Sequence, residues 1–126
     1  MTILELFNTL KQNAGFTVDL FGDTYNGKGY AVSLPGNETK VIESDLDLSR
    51  FASLLAEYAP KLGSNKYLGA WLDQGVFYFD VSEIVPDKDT AIKLGKARNQ
   101  LAVFSFDSFQ SIPCETGSSV LDLLAG

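Results

Sequence analysis

The sequence predicts an α+β protein, a single domain with a mostly antiparallel sheet flanked by two or three helices in the order αβββαββαβ. Three observations carry this. The β-rich runs follow one another directly, whereas a doubly wound fold would alternate them with helices. The helical stretches have recognisable starts and stops. And 126 residues, 45% hydrophobic and 12% aromatic, suit one core that hides roughly two thirds of the unfolded surface.

Residues 2–13 read as an amphipathic helix. Thr2 and Glu5 have capping-box spacing, Ile3, Leu6, Phe7, Leu10 and Ala14 recur on one face, and Gly15 supplies a stop. Residues 16–21, 30–34 and 40–43 are three β-runs, separated by the glycine-rich turn Gly22–Gly29 and by Pro35-Gly36-Asn37. Asp47 is an N-cap for the second helix, Leu46 and Phe51 have the spacing of a hydrophobic staple, and Leu48, Phe51, Ala52, Leu55, Tyr58, Ala59 and Leu62 form its apolar stripe. Pro60 should weaken its last turn and Gly63 end it.

Residues 67–72 and 76–81 form a hairpin across Asp73-Gln74-Gly75, with Gly75 left-handed. One face carries Trp71, Val76 and Tyr78, the other Leu68, Leu72, Phe77 and Phe79. A strand apolar on both sides is expected mid-sheet with both faces covered. Pro86-Asp87 opens a third helix through Arg98, with Ala91, Leu94 and Ala97 inward, and residues 101–106 are the last strand. From residue 108 the chain reads as a loosely packed tail, with Val120–Leu124 a terminal helical turn.

Ten Lys and Arg against sixteen Asp and Glu leave a net charge of −6, and the chain has no histidine and one cysteine. Without histidine, Ser-His-Asp and Cys-His catalysis cannot be built within the chain. A lone Cys114 makes neither an internal disulfide nor a structural zinc site. No cofactor and no metal is expected. Charge is even: residues 1–63 carry eight acids and five bases, and residues 64–126 the same. That favours a solvated acidic surface over DNA mimicry, which remains an alternative, and it opposes direct nucleic-acid binding. No apolar run reaches the roughly 20 residues of a membrane helix, and no secretion signal opens the chain. The expected location is the cytoplasm.

Gly22-Asp-Thr-Tyr-Asn-Gly27-Lys28-Gly29 is one residue from a phosphate-binding loop, but Gly29 replaces the Ser or Thr that holds Mg²⁺. Such a loop must also enter a helix, and here a strand follows. An Asn26-Gly27 turn explains it better. Asp45, Asp47, Asp87 and Asp89 sit at helix starts, as caps. Asp80 interrupts an apolar strand and needs a partner, Arg98 or Lys66. With Glu83 and Arg98 it defines the one polar site expected of a small enzyme or ligand-binding domain. Tyr25 and Phe109 are the aromatics expected in exposed loops, where they anchor protein partners. Lys93 and Lys96 share an exposed edge of the third helix and would face an acidic protein.

Tyr67-Leu-Gly-Ala-Trp71, Tyr78-Phe-Asp-Val-Ser82, Ala91, Gly95, Arg98-Asn-Gln100 and Ala102-Val-Phe104 resemble a family of small proteins of bacteriophages, prophages and other mobile elements. Gly15-Phe-Thr17 and Gly29-Tyr-Ala-Val-Ser33 fit the same pattern. The resemblance implies a non-enzymatic accessory protein that binds a bacterial host protein, for instance as an anti-defence inhibitor such as an anti-CRISPR. A homodimer is a further expectation, through Leu101–Phe106 if that strand is a sheet edge.

Overall fold

The structure, a computed structural model, describes residues 2–114. Its elements are α1 (Ile3–Asn13), β1 (Gly15–Val18), β2 (Tyr30–Ser33), β3 (Thr39–Ile42), α2 (Leu48–Tyr58), β4 (Tyr67–Asp73), β5 (Val76–Val85), α3 (Lys88–Ala97), β6 (Ala102–Ser105) and β7 (Gln110–Pro113). The strand pairings are antiparallel and the fold class is α+β, with one strand more than the sequence order predicts. The chain divides into two compact units. The first holds residues up to Asn26 and Leu34–Glu83, the second Gly27–Ser33 and the chain from Ile84. No linker marks the boundary at Glu83 in the sequence, because it falls within β5.

In the first unit β1 pairs with β4, β4 with β5, and β5 with β3. Leu6, Phe7 and Leu10 of α1 and Phe51, Leu54 and Tyr58 of α2 are buried with Val18, Val41, Leu68, Ala70, Phe77, Phe79 and Val81 of the strands. The capping box forms, with Thr2 Oγ1 accepting from the Glu5 amide and Glu5 Oε1 from the Thr2 amide. Asp47 caps α2 by accepting from the Arg50 amide at 2.8 Å, and the staple residues Leu46 and Phe51 are both buried. Pro60 has no N–H to continue the α-helix. The chain therefore tightens into a 3₁₀ turn over Ala59–Lys61.

Three local expectations are corrected here. Ala14, not Gly15, takes the left-handed helix stop (φ 58°), which frees Gly15 to enter β1. Ile3 and Leu48 are exposed, since the apolar stripes are wider than the strip of helix that the sheet covers. And Asn26-Gly27 is no hairpin turn, because β1 and β2 take different partners, β4 and β6. The left-handed glycines of that loop are Gly22 and Gly29. Gly29 is also held by space, as a Cβ there would meet the Val85 carbonyl at 3.0 Å.

The β4–β5 hairpin turns at Gln74 (φ 49°) and Gly75 (φ 78°), so both central residues are left-handed. That is the conformation in which asparagine outperforms glutamine at the first position. Gln74→Asn should raise stability by about 0.5 kcal/mol, read as a higher midpoint of urea denaturation.

The Tyr58 hydroxyl is buried, donates to the Asn37 carbonyl and lies 2.7 Å from Thr39 Oγ1. Burial pushes its phenol above the ordinary 10.0, with the Thr39 contact pulling the other way. The fold holds the neutral form. Its contribution is therefore complete below pH 10 and is lost as pH rises through the higher folded value. Tyr58→Phe should cost about 1.5 kcal/mol at neutral pH, since the Asn37 carbonyl loses its partner. It should also flatten the loss of stability above pH 10, checked by denaturation at a series of alkaline pH values.

In the second unit β6 lies between β2 and β7. Ala91 of α3 is buried with Val32, Val103 and Cys114, and Tyr30, Val85, Ile92, Leu94 and Ile112 pack around them. Ala97 is exposed, and Gly95 takes the inward position instead. Asp87 caps α3, accepting from the amide and the hydroxyl of Thr90. Residues 110–113 are a paired strand and Cys114 is buried, so the packed chain extends past the expected start of the tail. Val120–Leu124 lie outside the described residues. The dimer edge expected at Leu101–Phe106 is not free either, because β7 occupies it.

Candidate interaction surfaces

Asp80 is 4% exposed in β5 and accepts from Ser82 Oγ at 3.3 Å. Room for its carboxylate comes from Gly69 on the neighbouring strand, where a Cβ would come within 2.6 Å of Asp80 Oδ1. Gly69 is thus the neighbour that makes space for Asp80, which residue types alone did not reveal. Glu83 follows three residues later, and alternation along a strand sends it to the opposite face from Asp80. Arg98 belongs to the second unit. It lies just past α3, with its guanidinium 3.5 Å from the Ser33 carbonyl. The two carboxylates therefore do not converge on one side of the strand, as paired acid–base catalysis would require.

Among the described residues no group of three or more His, Cys, Asp or Glu is placed to hold a metal ion. Burial pushes the Cys114 thiol above its ordinary range, against a weaker pull from Lys96, so the thiolate that nucleophilic chemistry needs is disfavoured at neutral pH. A cleft of about 180 Å³ in the first unit is lined by Ile3, Leu6, Leu20, Phe21, Leu55 and Leu62 among others. Its wall carries few groups with chemistry to offer. No described helix is long and apolar enough to cross a membrane.

Of the expected partner-binding residues, Tyr25 is half-buried rather than exposed, its ring edge-on to Tyr67 at 5.3 Å. Lys93 and Lys96 are both exposed on α3. Phe109 is 75% exposed. It stands in the four-residue loop between β6 and β7 with φ at +54°, the left-handed region that suits glycine or asparagine. Ser108 donates its amide to Ser105 Oγ within the same loop.

Comparison with known proteins finds no match: no protein-family model, no curated protein and no solved structure matches the chain. The surface that sequence reasoning missed is on the first unit. There the face of Trp71, Val76 and Tyr78, expected to be covered, has Trp71 39% exposed and Ile42 of β3 58% exposed. Both faces of the hairpin are apolar in composition, so the residue pattern alone does not say which one the helices cover.

Proposed function

We propose that the chain is a non-enzymatic accessory protein of a bacteriophage or mobile element that acts in the bacterial cytoplasm by binding a host protein, with anti-defence inhibition as the role this suits. The observation that carries the reading is Phe109. The left-handed backbone costs a phenylalanine about 1 kcal/mol, and exposure forfeits the roughly 2 kcal/mol that burying the ring would return. Among the described residues its ring stays 75% exposed, whereas a pocket on a partner would bury it, and aromatic anchors are what such pockets take. The histidine-free composition, the net charge of −6 and the resemblance to mobile-element proteins support the same reading.

Tagged protein incubated with bacterial lysate tests it, with quantitative mass spectrometry of what is retained. The expected result is a stoichiometric host protein that the wild type retains and Phe109→Asn releases. A retained set identical for the two proteins would overturn the assignment of Phe109. Asparagine tolerates the left-handed backbone, so Phe109→Asn should also raise stability by about 0.5–1 kcal/mol, seen as a higher thermal midpoint.

A further inference from the structure

One register row crosses four strands of the first unit: Gly15 in β1, Trp71 in β4, Tyr78 in β5 and Lys40 in β3. The Trp71 and Tyr78 rings stack at 5.3 Å with 11° between their planes. Lys40 Nζ lies 5.6 Å from the Tyr78 ring centre, so a cation already closes that end of the stack. At the other end Trp71 adjoins Gly15, which has no side chain to cover it. Two residues along β4, on the same face as Trp71, stands Asp73. Asp73 is exposed and has no ion pair among the described residues.

We propose that Trp71 and Asp73 form a binding site for an arginine side chain on a basic segment of a partner protein. The guanidinium stacks on Trp71 over Gly15 and turns its N–H groups toward the Asp73 carboxylate. A planar cation satisfies both groups at once, which a lysine ammonium does only in part. A nucleobase would also stack on Trp71, but its phosphate would meet Asp73 and a chain of net charge −6. Charge complementarity thus selects a basic protein segment. The site rests on the reading of the chain as a protein binder, but its residues belong to the first unit and Phe109 to the second.

Trp71 is the chain's one tryptophan, so its fluorescence reports this site directly. The probes are a short Gly/Ser peptide carrying two arginines, its two-lysine twin, and an oligothymidylate. The arginine peptide should change Trp71 emission saturably. The lysine twin should bind about threefold more weakly, for want of planar stacking. Asp73→Asn should weaken the arginine peptide about threefold, the scale of an exposed ion pair. No saturable change, equal binding of the lysine twin, indifference to Asp73→Asn, or tighter binding of the oligothymidylate would each overturn the arginine site. Capture of a partner through Phe109 is read separately, so loss of the peptide signal with that capture intact rejects this site alone. A peptide signal in the wild type together with host-protein capture that Phe109→Asn leaves unchanged rejects the Phe109 contact instead.

Discussion

Phe51→Ala is expected to cost about 4 kcal/mol, a large share of the roughly 5–15 kcal/mol that holds a domain of this size together. Phe51 is fully buried in α2. Its ring stacks on Phe7 of α1 at 5.1 Å, meets Phe16 of β1 edge-on at 6.3 Å and lies 6.4 Å from Phe79 of β5. One side chain therefore joins both helices to two strands. Removing it forfeits the transfer energy of the ring and leaves a cavity whose walls are other rings, which collapse poorly. The expected measurement is a sharp fall in the urea midpoint, or loss of a cooperative transition. Phe51→Leu should cost only about 1.5 kcal/mol, because most of the volume stays. A Phe51→Ala variant within 1 kcal/mol of wild type would mean that the ring cluster does not hold the first unit together.

The second large effect lies in the other unit. A Cβ at Gly95 would come within 2.5 Å of Cys114 Sγ and 3.1 Å of Val103 Cγ1, both on buried residues. Gly95→Ala should destabilise by about 2 kcal/mol, as overpacking outweighs the helix propensity that alanine gains. Cys114→Ala alone should cost about 1 kcal/mol through the space it leaves. In the double variant the alanine methyl at 95 enters that space, with the remaining Cβ of residue 114 then 3.8 Å away. The close approach to Val103 remains, so the pair should cost about 1 kcal/mol rather than the additive 3, a coupling of about 2 kcal/mol in a double-mutant cycle. Additive losses would show that the Gly95–Cys114 approach is not the constraint. The cycle also assigns Cys114 its task, packing under α3.

Local signals were legible wherever one residue type has one physical use. Thr2 with Glu5, Asp47 and Asp87 announce helix starts, because their oxygens satisfy amides that nothing else reaches. Gly75 announces the hairpin turn for a similar reason. Long-range pairing was not legible. The loop from Gly22 to Gly29 looks like a hairpin connection, yet β1 and β2 pair elsewhere. Register and partner choice are settled by what lies across the sheet, not by the turn alone. β7 escaped for a related reason, since Gln-Ser-Ile-Pro has little β character and is held by its pairing with β6. Of the candidate site residues, Phe109 was legible as an exposed aromatic in a loop. Its left-handed backbone, the stronger clue, required the structure. Tyr25 looks equivalent in sequence but is half-buried against Tyr67, a contact between residues 42 positions apart that no local pattern signals.

If Phe109 serves a partner, its exposure and left-handed backbone cost the chain stability and return it as affinity. Calorimetric titration of the captured host protein with wild type and with Phe109→Asn tests this most directly. The variant should bind about 30-fold or more weakly, since an aromatic anchor is worth about 2 kcal/mol or more, while its thermal midpoint is equal or higher. Equal affinity of the two proteins, or a variant that binds weakly only because it is less stable, would contradict it.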